Sequence, residues 1–368
     1  MPPVALEMSA WKYRRLMPKV LVSKLRLVQT ENILDLVGNP LDQICSRLAK
    51  TPYQKDILEI PTQQFSSTLL EEALLKNFIK TVDEIACCSP KDIRALLTAI
   101  LMKFEADCLK AILRTKSAEL EPDQAMKYIT PAGRLSAAKC MDIMKNSSSI
   151  RDVVKLLSDL EYGHVLEEVL PEYEKTGLLF SLEVAVDRHV YGRIWKAAKK
   201  LRGLDGRIAR AIVGLEIDSV NIKVILRFKE TCVGEDLARQ YLMPVSEVFG
   251  AAELEGAVRA KEVKSAIEHL LDAAKVSLAR DHQHLLMDVM KEYVTHKSMS
   301  HLEALLEREL LETSLRMLKR YTPFFNVGFV LAFLNLKWFE LRNLRTIIRG
   351  AEEKMPSART RELLVLSS

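Results

Sequence analysis

The sequence predicts an all-α protein, and three observations carry that prediction. Leu, Ala, Glu, Lys and Arg dominate a chain of 368 residues in which Gly and Pro number only 13 each. Those five residue types lose little side-chain freedom on a helix. Apolar residues recur at helical spacing, as in Ile93, Leu96, Leu97, Ile100, Leu101 and Phe104, which follow the i, i+3, i+4 rule of an amphipathic helix. No long segment alternates with period two, and no Asn-Gly hairpin signal occurs. In chain order, an amphipathic helix over Leu41–Leu48 is closed by Thr51-Pro52-Tyr53. Three marks of the pattern Leu-Glu-x-small-aliphatic follow, at Leu70–Leu74, Leu182–Val186 and Leu311–Leu315. Helix breakers lie downstream of each: Ser89-Pro90, Asp205-Gly206 and Thr322-Pro323. Ser89 and Thr322 are expected to cap the next helices, with Pro at the first helical position, where it needs no donor.

Beyond each breaker comes a second shared mark. Glu105–Arg114 is EADCLKAILR, Asp218–Arg227 is DSVNIKVILR and Glu340–Arg349 is ELRNLRTIIR. Each begins with an acid, has Lys or Arg at the sixth position and ends on Arg. The fourth position is Asn221 and Asn343 in two copies and Cys108 in the first. The copies are more than a hundred residues apart, against ~20–50 for a solenoid repeat. Three copies of one domain-sized unit are therefore expected, over residues 1–122, 123–233 and 234–368.

Composition narrows the function. Hydrophobic residues make up 48% of the chain, enough for a packed core. The N-terminus lacks the basic start and apolar core of a signal peptide. The most apolar stretch, Phe324–Leu336, contains Asn326 and Asn335 and is stopped by Lys337. It falls short of the ~20 apolar residues of a spanning helix, so a buried core helix is expected there, and any membrane association is expected through a partner. Net charge is +5, from 54 basic and 49 acidic residues of mixed order. The densest basic run is Lys196, Lys199, Lys200, Arg202, Arg207 and Arg210. Such a run at a helix C-terminus suits the backbone dipole; the alternative is a contact for acidic protein loops or lipid head groups. Nucleic acid fits less well, because aromatics are not interleaved with the basic residues.

No catalytic constellation is legible. Among Cys45, Cys87, Cys88, Cys108, Cys140 and Cys232 no pair has the two-residue separation of a zinc or redox motif. His282, His284, His296 and His301 form the only histidine cluster, and residues two apart on a helix point about 160° away from each other. Phosphate-binding glycine loops, a Gly-x-Ser-x-Gly elbow and a His-Glu-x-x-His helix are all missing. No catalytic, cofactor or metal residues are expected.

The repeated residues are expected to be structural. Asn221 and Asn343 fall on apolar stripes, where an unpaired amide costs ~1–3 kcal/mol. Lys110/Arg114, Lys223/Arg227 and Arg345/Arg349 are i, i+4 pairs on one flank. The expectation is that Glu71, Glu183 and Glu312 each pair with the Asn or Arg of their own repeat and fix how the two helices cross.

At these residues the chain resembles the C subunit of archaeal-type and vacuolar-type rotary ATPases, called the d subunit in eukaryotes. The likeness rests on the triplicated Asn-(Leu/Ile)-(Lys/Arg)-x-Ile-Leu-Arg motif, clearest at Asn221–Arg227 and Asn343–Arg349. It rests also on Thr51-Pro52-Tyr53, with a counterpart Tyr at Leu160-Glu161-Tyr162, and on Leu182-Glu183 to Asp187-Arg188 with Tyr191. The resemblance implies a funnel of three similar helical bundles around a pseudo-threefold axis. It would rest on the cytoplasmic face of a membrane proteolipid ring and receive the D/F central stalk. Such a protein is a non-catalytic rotor adaptor without cofactors, peripheral to the membrane, in H⁺ or Na⁺ transport linked to ATP synthesis or hydrolysis. A helical-repeat scaffold binding a protein in a concave groove is the alternative, though repeats of ~34–47 residues would be expected there.

Overall fold

The computed structural model describes residues 11–60, 66–230, 234–244, 248–276, 287–288, 299–320 and 325–366. Helices account for the regular structure of these residues; the β-type pairing among them is one isolated bridge between Ala132 and Leu135. Six helices exceed twenty residues and form three consecutive pairs: α1 (Ser67–Cys88) with α2 (Lys91–Ser117), α3 (Phe180–Lys200) with α4 (Gly203–Glu230), and α5 (Met299–Arg320) with α6 (Val327–Glu352). The first of each pair carries the Leu-Glu mark and the second the Arg motif, so the two sequence marks are the two arms of a helical hairpin.

One breaker acts where expected, though not by the expected atoms. The α1–α2 restart falls at Ser89-Pro90, yet Pro90 is the extended N-cap residue. Ser89 Oγ instead donates back to the Ile85 carbonyl at 2.8 Å, closing the preceding helix. Asp205-Gly206 does not interrupt α4; it lies in the first turn, and the chain turns at Leu201–Gly203, where Gly203 takes φ +59°. Gly206 is needed there because a Cβ would sit 2.2 Å from the Leu201 carbonyl oxygen. Thr322-Pro323 lies outside the described residues. The described cap of α6 is Asn326, whose side chain accepts from Phe329 N at 3.3 Å.

The long helices pack in a circuit. In chain order each lies against the next, from α1 to α6, and α6 packs back on α1. The short helices interlock successive stretches of chain. Ala137–Asn146 and Ile150–Leu156 cover α2, whereas Glu235–Tyr241, Ala251–Arg259 and Val263–Val276 cover α4. The N-terminal Leu16–Leu25 and Leu41–Leu48, with the C-terminal Ser357–Glu362, cover α6. A continuous apolar core extends from Tyr13 to Leu364, and a second lies between α4 and the helices that follow it. Fully buried Leu or Ile contributes roughly 1.5–3 kcal/mol, so this continuity makes separation of one repeat from its neighbour costly. Val327–Leu334 is buried as a core helix, and no described helix is long and apolar enough to cross a membrane.

Candidate functional site

At two seams the repeated charges meet between repeats and not within them. Glu71, only 7% exposed, accepts from Arg345 Nε at 2.8 Å and from Arg349 Nε and Nη2 at 2.8 and 3.2 Å. Glu183 accepts from Arg114 Nε and Nη2 at 2.5 and 3.0 Å. The expected pairing within a repeat is thus corrected for two of the three acids: Glu71 of the first repeat holds the Arg residues of the third, and Glu183 of the second holds the Arg of the first. The reason is geometric. Each Arg-motif helix packs on a Leu-Glu helix on either side, and in α2 and α6 the charged flank turns toward the one that follows. Arg227 and Glu312, the matching residues of α4 and α5, are each engaged in contacts of their own.

The acids that open the motifs are the buried anchors, a role the sequence reading missed. Glu340 accepts from the Val28 backbone N–H at 2.5 Å and from the Tyr53 hydroxyl at 2.6 Å. Glu105 accepts from Arg134 N at 2.8 Å and from the Tyr162 hydroxyl at 3.2 Å. Asp218 accepts from Val248 N at 3.3 Å. Each acid therefore ties its long helix to backbone belonging to the stretch that covers it. Tyr53 and Tyr162, noted in sequence as counterparts, perform the same task in two repeats. Burial, reinforced by Glu340, raises the Tyr53 hydroxyl well above its ordinary range, which keeps it a donor. Lys337 Nζ completes the cluster, 2.7 Å from Glu340 Oε1 and 2.9 Å from Tyr53 Oη.

The fourth motif position latches the chain that follows. Asn343 accepts from Val365 N at 2.9 Å and donates to Val365 O at 2.8 Å. Asn221 accepts from Met243 N at 2.7 Å. Cys108 stands in the first copy, with its sulfur 3.6 Å from that of Cys140. Both thiols are buried and belong to the core, as expected of small apolar side chains. Replacing Asn343 with Leu strands a buried backbone donor and acceptor at Val365. A loss of about 2–3 kcal/mol is expected, read as a lower urea midpoint with earlier proteolysis beyond Met355.

The circuit encloses a cavity of about 330 Å³ bounded by α2 to α6, with Phe78 of α1 at its edge. Its apolar wall includes Ile100, Phe104, Val190, Ile212, Leu334 and Trp338. Phe78, Phe104 and Trp338 interlock with ring centroids 5.1–6.1 Å apart, within the range of favourable aromatic pairs. Charges on the wall pair across helices: Lys110 with Asp187 at 2.8 Å, Lys223 with Glu307 at 3.5 Å, and Lys103 with Glu216. Burial lifts the Asp187 carboxyl above its ordinary range despite Lys110. At one end the first turns of α2, α4 and α6 are drawn together. Lys12 Nζ bridges Asp92 and Asp205 at 3.1 and 2.9 Å, while Asp205 Oδ1 accepts from Val327 N at 3.0 Å. The cavity lies farther along the same helices, around the middle of α2 and α4 and in the N-terminal half of α6.

Among the described residues no group of His, Cys, Asp or Glu could hold a metal ion. His282, His284, His296 and Cys232 lie outside the described residues, as does the side chain of His301. The geometry is one of clamps around a cavity. Residues 16–363 match the model of the ATP synthase (C/AC39) subunit. The chain is 25% identical over 300 residues to the A-type ATP synthase C subunit of Methanosphaera stadtmanae, covering 80% of this chain and 74% of that protein. It is 24% identical over 325 residues to the C subunit of Methanocaldococcus jannaschii, covering 88% and 79%, and 23% identical over 354 residues to that of Methanosarcina mazei, covering 96% and 93%. The chain belongs to the ATP synthase (C/AC39) subunit family, structural and non-catalytic members of the rotary complex that links ATP synthesis to ion transport.

Proposed function

We propose that this protein is the central-rotor adaptor of an A-type ATP synthase, a funnel of three similar bundles arising from residues 1–122, 123–233 and 234–368 about a pseudo-threefold axis. The D/F stalk seats at the mouth of the cavity, which at about 330 Å³ takes stalk side chains and not a whole helix, and the end closed by Lys12, Asp92 and Asp205 rests on the cytoplasmic side of the membrane proteolipid ring. The adaptor then passes rotation between stalk and ring while H⁺ or Na⁺ moves through the membrane sector and ATP is made or hydrolysed. It needs no cofactor for this task.

The observation that carries the reading is the hand-over of contacts from one repeat to the next. Glu71 reaches Arg345 and Arg349 across the α6–α1 seam, and Glu183 reaches Arg114 across the α2–α3 seam. A structure that transmits torque must resist shear between its parts. Close-packed helices resist it through packing, and buried, fully paired polar contacts add directional stiffness. A linear scaffold binding a partner in a groove has free ends and no need for its last long helix to pack on its first.

Affinity purification of the tagged chain from its native cell tests the proposal. The D and F subunits and the proteolipid ring should be retained. A cysteine at Trp338, inside the cavity, should cross-link to a stalk protein, and one placed at the exposed Tyr128 should not. Recovery of the chain without any rotary partner, or stalk cross-links from Tyr128 alone, would count against the rotor role.

A further inference from the structure

The closed end of the molecule carries basic side chains that no described acid pairs with. Lys196, Lys199, Lys200, Arg202 and Arg207 are all exposed around the α3–α4 turn, and none forms an ion pair among the described residues. The acids beside them are already committed: Asp205 to Lys12 and the Val327 amide, Asp92 to Lys12 and the Ile93 amide. The Lys199 ammonium lies over the ring of Trp195, 5.9 Å from its centre, on a residue that is itself exposed. The same end presents an indole. Trp11 is 68% exposed, with the Arg14 guanidinium stacked 3.7 Å from its ring centre. Lys12, the next residue, is the one pinned to the first turn of α4, which fixes the indole and the basic turn at one end of the fold.

We infer that this end binds an anionic lipid surface directly, its five cations set against phosphate head groups and Trp11 placed at head-group depth. The inference rests on the proposed orientation, in which this end faces the membrane. A diffuse set of exposed cations, whose neighbouring acid Asp205 is taken up by Lys12 and the Val327 amide, suits a continuous negative surface, where each basic residue strengthens binding about fivefold. An exposed indole beside them suits the membrane–water interface, which accommodates an amphipathic ring. Acidic protein loops would supply discrete carboxylates and leave Trp11 without a role.

The test uses the purified full-length chain and two kinds of vesicle. One is phosphatidylcholine alone, and the other is equal parts phosphatidylcholine and phosphatidylglycerol. Co-sedimentation is expected with the mixed vesicles only, reversed at high salt because surface electrostatics are screened. A blue shift in tryptophan emission should accompany binding and disappear in Trp11→Ala. The combined variant K199E/K200E/R202E, altered only at exposed side chains, should keep its helical circular dichroism and bind at least a hundredfold more weakly. Equal binding to both vesicles, no binding at low salt, or undiminished binding by the reversed variant would each overturn the inference. Failure on vesicles with the ring still co-purifying would point to acidic ring loops and leave the rotor role standing. Vesicle binding without any rotary partner would instead remove the rotor role.

Discussion

Replacing Glu340 with alanine should destabilise the protein by about 3–5 kcal/mol, with a fall in thermal midpoint of roughly 5–10 °C. The carboxylate is 4% exposed at its side chain and Lys337 is 5% exposed. Removing the acid leaves an ammonium in the core without its counter-charge. It also takes the acceptor from the Tyr53 hydroxyl and from the Val28 amide. Lys337→Met should cost less, because Glu340 keeps both of those donors. The pair replaced together by Leu at 340 and Met at 337 should recover only part of the loss, since it removes the stranded ammonium but leaves the Tyr53 hydroxyl and the Val28 amide without their acceptor. Urea denaturation of the four proteins checks the order. If Lys337→Met proves as damaging as Glu340→Ala, the acid is not the anchor of the cluster.

The physical reason for that order bears on how much could be read from sequence. Helical class, the long hairpins and the burial of Val327–Leu334 follow from composition and period, which are local properties. Asn221 and Asn343 stood out as polar residues on apolar stripes; Asn343 pairs both amide atoms with Val365, whereas Asn221 pairs its oxygen with Met243 N and leaves its buried Nδ2 without a described partner. Which helix Glu71 meets was not legible. Sequence spacing sets the height of a charge along a hairpin, but a closed circuit gives every Arg-motif helix two Leu-Glu neighbours at that height. Local period carries no information on which flank turns toward which neighbour. The anchoring acids Glu105, Asp218 and Glu340 escaped notice for a related reason. An acid at the head of a motif has the same pattern whether solvated or buried, and only the distant Tyr53, Tyr162, Val28 and Arg134 show that two of these are enclosed. A signal was present in that all three motifs open with an acid.

Cooperativity follows from the same connectivity. Each long Arg-motif helix is covered by short helices from the next stretch, and the first stretch covers the last motif helix. No repeat can therefore leave the assembly without exposing the apolar face of its neighbour. The cost of opening one seam is shared around the circuit, which suits a part that must turn as one body. It also means that damage at the α6–α1 seam, where the chain's last long helix meets its first, should be felt at the other seams.

Glu71 offers the sharpest measurement of that seam. Glu71→Arg places three cations together where one carboxylate had accepted from Arg345 and Arg349, and a loss of about 2–4 kcal/mol is expected. Part of this should ease with salt, because Arg349 is 59% exposed and its charge is partly screened. A double-mutant cycle separates the seam from the hairpin. Coupling between Glu71→Ala and Arg349→Ala should be about 1–2 kcal/mol, whereas Glu71→Ala and Arg114→Ala should add within roughly 0.5 kcal/mol. The converse holds at the next seam, where Arg114 should couple to Glu183 and not to Glu71. Hydrogen exchange of Glu71→Arg should quicken along both α1 and α6, since each loses the same partner. Strong coupling of Glu71 to Arg114 would return the clamp to a single hairpin and leave the circuit without its lock.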